Sequence, residues 1–132
     1  MDAWVATLLD AVNRHDLDAL VSHFSDAYKN ETPAHPARGF VGSEQVRTNW
    51  SRMFAAIPDL NAQVTSAAVA GETVWTEWTM RGTRRDGSAH LLRGVVLFGV
   101  RGGRAAWGRF YLEPVDRESS DVDAAVTRIV EP

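Results

Sequence analysis

Apolar and polar side chains alternate most clearly between residues 72 and 113, with a period of two. Val74, Thr76, Trp78 and Met80 alternate with Trp75, Glu77, Thr79 and Arg81, and Gly108, Phe110 and Leu112 alternate with Trp107, Arg109, Tyr111 and Glu113. Successive side chains of a strand point to opposite faces of a sheet. This stretch therefore predicts antiparallel strands with one apolar face and one face that mixes charges with aromatics. Strands are expected over 61–70, 72–83, 89–100 and 104–113, joined by turns at Gly71, Asp86-Gly87 and Gly102-Gly103.

Before residue 60 the spacing changes to that of helices. Asp2 is placed to cap a helix with the stripe Val5, Leu8, Leu9 and Val12. After a break at His15-Asp16, Asp16 caps a short second helix with Leu17, Leu20, Val21 and Phe24 facing inward. Tyr28 to Thr32 reads as a short strand, followed by an irregular loop from Pro33 to Gly42. Ser43 is placed to cap the third helix, with Glu44 at its positive end and a stripe of Val46, Trp50, Met53, Phe54 and Ile57, stopped by Pro58-Asp59. Helices first and a meander of strands afterwards imply an α+β fold. Three N-terminal helices are expected to cover the concave face of a cone-shaped, curved, mostly antiparallel sheet. The cone domain is assigned to residues 1–115. Residues 116–132 form a polar tail in which Val122, Ala125, Val126 and Ile129 could make one weak amphipathic helix.

Composition narrows the functional classes. The 132 residues suffice for a single domain with a real core. Net charge is −3 and no Lys/Arg cluster follows a helix, so nucleic-acid binding has no electrostatic footprint. The absence of cysteine removes disulfides, thiolate nucleophiles and cysteine-ligated metals. The four histidines lack metal-ligand spacing, and no cofactor motif occurs. The acidic start and the lack of a membrane-length apolar run make a cytoplasmic protein, free of the membrane, the expectation.

Several short motifs give this order of elements a resemblance. Asn13-Arg14-His15-Asp16-Leu17-Asp18-Ala19-Leu20, Gly42-Ser43-Glu44-Gln45-Val46, Pro58-Asp59-Leu60 and the Gly102-Gly103-Arg104 turn resemble the SnoaL-like branch of the nuclear transport factor 2-like superfamily over residues 3–115. That family holds cyclases, isomerases, hydrolases, dehydratases and non-enzymatic binders, so the resemblance implies architecture more than activity. Tyr28-Lys29-Asn30 is also similar to the water-holding Tyr-x-Asn pair of limonene epoxide hydrolases. The remaining acid/base positions of that type fall on Trp78, Met80 and Phe110. Those side chains can neither activate water nor protonate a leaving oxygen, which argues against epoxide opening by that route.

The candidate site follows from these faces. Trp78, Met80 and Phe110 fall on the inward face beneath Trp50 and Phe54, as either a packed core or the walls of an apolar pocket. Tyr28 and Asn30 share one strand face and would orient a ligand, unless Tyr28 simply packs and Asn30 bonds a nearby backbone group. His35, in the loop that rims the cone in the resembling family, is the candidate base, and Glu31, adjacent to Asn30 and outward by strand parity unless the proline-rich loop turns it inward, is the reserve acid. His90, on the apolar-face parity, is a weaker candidate base. On the outer face, Trp75, Trp107, Arg109 and Tyr111 read as a homodimer interface of the kind the family forms, although Glu77, Arg93, Arg109 and Glu113 could be read as a charged site. The expected function is binding of a small apolar or aromatic metabolite in the cone. A cofactor-independent isomerase, cyclase or dehydratase, a structural module with a filled core, and a hydrolase using water held by Tyr28 and Asn30 are the alternatives.

Overall fold

The computed structural model describes residues 1–132. Helix α1 (Ala3–Asn13) begins where the Asp2 carboxylate accepts from the amides of Trp4 and Val5 at 2.9 and 3.2 Å. Its inward stripe of Val5, Leu8, Ala11 and Val12 is buried. His15 then takes a left-handed conformation (φ 54°), which turns the chain so that Asp16 caps α2 (Leu17–Val21) through the Ala19 amide at 3.1 Å.

Strand β1 (Phe24–Glu31) starts earlier than its pattern suggests. Phe24, expected on the second helix, is instead buried at the first position of the strand and pairs with Ala105. A 3-10 turn (Pro36–Arg38) and a two-residue strand β2 (Phe40–Val41) occupy the loop that the sequence left irregular. Helix α3 (Ser43–Ala56) is preceded by Gly42 at φ 108°, and Gly42, not Ser43, is the cap residue. A left-handed backbone there selects glycine, and no side chain caps the helix.

Strands β3 (Asn61–Ala70), β4 (Thr73–Thr83), β5 (Ala89–Arg101) and β6 (Arg104–Pro114) form the meander. The sheet order is β2-β1-β6-β5-β4-β3, with β1 parallel to β6 and every other pair antiparallel. The result is an α+β fold on a curled, unclosed six-stranded sheet. Met80 lies opposite Leu92, and Val96 opposite Phe110. That register puts Val74, Thr76, Trp78 and Met80 on the buried face and leaves Trp75, Glu77 and Arg81 exposed. Leu8, Val12 and Leu20 from the helices join Trp78, Met80, Val96 and Phe98 in one core. Helix α4 (Val122–Val130) forms in the tail, with Val122, Val126 and Ile129 exposed. No helix is long and apolar enough to cross a membrane.

Two features of α3 prepare the site. Only Val46 is fully buried on this helix, while Trp50 and Met53 pack against the core half-exposed. The helix therefore roofs the wide end of the curled sheet without filling it.

Candidate functional site

Beneath α3 the curled sheet encloses a cavity of about 280 Å³ lined by fourteen residues, ten of them hydrophobic. Trp50 and Met53 form its roof, and Met80, Leu92, Phe110 and Leu112 form much of its floor. Below it lies a void of about 30 Å³ with only apolar walls, which shares Phe24, Trp50, Met80, Phe110 and Leu112 with the larger space. A void of that character stays dry.

Four uncharged or charged polar side chains with no aromatic ring meet the cavity: Asn30, Thr32, Arg38 and Asn49. Asn30 is held by its neighbour on the same strand face. The Tyr28 hydroxyl donates to Asn30 Oδ1 at 2.7 Å, and both residues are buried. Burial pushes the Tyr28 pKa well above its ordinary value, so the phenol remains a proton donor. Space for that hydroxyl comes from Gly108 on β6, where a Cβ would overlap it. The Asn30 amide nitrogen keeps two N–H groups for an acceptor inside the cavity. Asn49 is similar, because Gln45 donates to its Oδ1 at 2.8 Å and its amide nitrogen is left over.

The structure gathers Tyr28, Asn30, Trp50, Met80 and Phe110 around this cavity. Trp78 reaches only the deep void, and its indole N–H is tied to Thr76 Oγ1 at 2.6 Å. Phe54 lines neither space and stacks on His15, with ring centroids 4.3 Å apart and planes at 10°. His35 and Glu31 lie outside the cone. His35 Nε2 is 2.9 Å from Glu113 Oε1, while Glu31 sits 3.7 Å from Arg109 and 3.4 Å from Lys29. Their place on the outer face follows from strand parity, because Glu31 is in register with Arg109 and the proline-rich loop does not reverse it. His90 lies on the inner-face parity but lines neither space.

The outer-face aromatics differ among themselves. Trp75 and Tyr111 are 47% and 44% exposed. Trp107 instead lies against Gly99, where any Cβ would overlap the indole, and carries the Arg109 guanidinium at 4.8 Å from its ring centroid.

Arg38 and Asn49 are the two polar cavity residues the sequence reading passed over. Asn49 shares the helical stripe of Val46, Trp50 and Met53, so a polar residue at that spacing was the available signal. Arg38 carried no such signal, since only the fold of the 33–42 loop brings it to the cavity. A second hollow of about 480 Å³ lies along β1 and that loop. Its walls are chiefly Lys29, Glu31, Thr32 and prolines, with Phe40 and Val41 its hydrophobic members, so it lacks the aromatic enclosure of the cone. No three His, Asp or Glu side chains converge in a way that could hold a metal ion.

The sequence profile of the SnoaL-like domain matches residues 5–107. The chain belongs to the SnoaL-like family. The neighbours of this SnoaL-like domain among solved structures share its nuclear transport factor 2-like fold. A hypothetical protein with a ketosteroid isomerase-like fold from Catenulispora acidiphila, in complex with trimethylamine, superposes with a TM-score of 0.73 at 20% identity, covering 84% of this chain and 86% of that one. IdmH from Streptomyces antibioticus, a proposed polyketide cyclase, gives 0.72 at 22% identity over 83% and 89%. A limonene epoxide hydrolase-like enzyme from M. tuberculosis gives 0.71 at 20% over 83% and 80%. No curated protein matches the sequence significantly.

The family motifs turn out to have structural work in this chain. Asn13 donates to the Ala62 carbonyl at 2.9 Å and accepts from the Ala62 amide at 2.7 Å. His15 Nε2 meets the Leu60 carbonyl at 2.8 Å. Asp59 accepts from the Thr83 amide at 2.7 Å, a bond that holds its carboxyl below the usual range. The Asn13 and His15 contacts clasp the helical hairpin to the start of β3, and the Asp59 bond ties the preceding turn to the end of β4. They do not reach the cavity.

Proposed function

We propose that this SnoaL-like domain binds a small, flat, predominantly apolar metabolite in the cone and orients it through a carbonyl-type oxygen. The observation that carries this reading is the Tyr28–Asn30 pair. It presents a fixed, buried amide donor at the edge of a cavity whose other walls are mostly apolar. Few polar groups on an apolar wall is the usual composition of a small-molecule site. A volume of about 280 Å³ suits a ligand of two or three rings at most.

The same donors would stabilise an enolate oxygen, which keeps a cofactor-independent isomerase or cyclase as the second reading. IdmH gives it a fold-level precedent. In this chain no carboxylate or imidazole lines the cavity, so a base for proton abstraction would have to come from the ligand or from water. The positions comparable to epoxide-hydrolase acids, Trp78, Met80 and Phe110, are apolar and face inward, which leaves hydrolysis the least supported reading.

Two measurements test the binding reading together. Native mass spectrometry of freshly purified protein should show a reproducible small added mass that is lost on harsher desolvation. Titration with the neutral ketone 1-tetralone should change the fluorescence of Trp50, and Asn30→Ala should weaken that binding by about tenfold. A clean mass together with no response to tetralone at millimolar concentration would overturn the reading.

A further inference from the structure

The charge inventory of the cavity goes further than its shape. Among its fourteen lining residues one is ionised at neutral pH, Arg38, and no carboxylate accompanies it. The other arginines, whether paired with Asp or Glu as Arg14, Arg47, Arg101, Arg109 and Arg128 are or unpaired as Arg52, Arg81, Arg93, Arg104 and Arg117 are, all lie away from the cavity. Arg38 has neither an ion pair nor a side-chain hydrogen bond within the chain, and it is exposed at the cavity mouth.

Its placement is built by the loop. Pro36 opens the 3-10 turn that ends at Arg38, the Arg38 amide bonds the His35 carbonyl at 2.9 Å, and the Gly39 amide bonds the Pro36 carbonyl at 3.2 Å. Two residues later Phe40 pairs with Asn30 on β1. Arg38 and Asn30 therefore belong to one wall of the cavity, with Asn49 on the α3 roof. All three offer N–H donors, and the cavity contains no ionised acceptor to match them. A cationic ligand would meet unopposed positive charge. A neutral one would leave the guanidinium unused, whereas a carboxylate would take a planar two-donor fork beside apolar walls that weaken solvent screening.

We infer that the ligand of the cone is an apolar ring compound bearing one carboxylate, which Arg38 holds at the mouth while Asn30 and Asn49 meet its remaining oxygens. This inference rests on the cone being a ligand site, and the test separates the two. The probes are 2-naphthoate and its uncharged counterpart 2-naphthalenemethanol, titrated by calorimetry against the wild type and Arg38→Gln. Because Arg38 is exposed and unpaired, this substitution leaves the fold intact, and unchanged affinity for the alcohol verifies that.

The wild type should bind the carboxylate about tenfold more tightly than the alcohol. Arg38→Gln should bring the two within about twofold, and added salt should weaken only the carboxylate. Equal binding of the two probes by the wild type overturns the inference and leaves the cone reading standing. A carboxylate preference that persists in Arg38→Gln also overturns it. Failure of both probes to bind at millimolar concentration overturns the cone reading and the inference with it.

Discussion

Tyr28 and Asn30, two residues apart on the inner face of β1, form a buried hydrogen bond of 2.7 Å directed from phenol to amide oxygen. The bond fixes which end of the amide faces the cavity, and Gly108 makes room for the phenol that fixes it. Tyr28→Phe should cost about 1–3 kcal/mol in urea unfolding, because it strands the Asn30 oxygen in a buried place. Gly108→Ala should cost a similar amount through overlap with the hydroxyl. The double variant should be markedly less destabilised than the sum of the two, since removing the hydroxyl relieves the overlap. Strict additivity in the double-mutant cycle would show that Gly108 does not serve Tyr28.

Asn13 makes a separable prediction. Its side chain imitates a neighbouring strand by giving to and taking from Ala62. Asn13→Ala should lower stability by about 1–3 kcal/mol by leaving both backbone groups of Ala62 without that partner. Affinity for any cone ligand should be unchanged, because the clasp lies behind the cavity. A loss of affinity with stability preserved would return this motif to the site.

These residues also show where sequence reading succeeded. A period of two identified the buried face of β4 residue by residue, because a strand with one face in a core has only one acceptable register. Loop geometry was less accessible. The capping role went to Ser43 because nothing local announced that Gly42 would adopt φ 108°. The resemblance to a rimming loop put His35 near the cavity, yet its imidazole pairs with Glu113 across the outer face. Arg38 was invisible for the complementary reason, since its position depends on Phe40 pairing with Asn30, a contact between segments with no shared pattern. Trp78 had the right face but the wrong depth: its indole is committed to Thr76, which in turn donates to the Val96 carbonyl at 2.7 Å.

His90 predicts a pH dependence. Its Nε2 is buried without a partner, and burial, with Arg84 adding to it, lowers its pKa from the ordinary 6.5. The folded state therefore resists protonation that the unfolded chain accepts near that ordinary value. Stability is complete above it and declines as the pH falls toward the lowered folded value. Asp59 and Asp86, whose carboxyls are held low by hydrogen bonds, contribute only at more acidic pH. Urea unfolding at pH 7.5 and 5.5 should show a drop in the wild type that is smaller in His90→Gln. Identical drops in the two proteins would remove His90 as the cause.

The outer face carries the last prediction, association into a homodimer. Two of its ion pairs close within one chain, Arg109 with Glu31 and His35 with Glu113, so covering these strands neither partner. Leu97 is buried between flanking strands, and Trp75 and Tyr111 stand exposed on either side of the β5 row. Large exposed aromatics beside self-paired ions suit the centre of an interface. Trp107 is the poorer anchor, because its ring is occupied by Gly99 on one side and by Arg109 on the other. Sedimentation should therefore find a dimer for the wild type. The Trp75→Glu, Tyr111→Glu double variant should be a monomer, with a core and cavity that still bind the neutral ketone. A wild-type monomer, or a dimer indifferent to both glutamates, would refute the assignment and return Arg93 and Glu113, which face each other across β5 and β6, to consideration as a solvent-facing site.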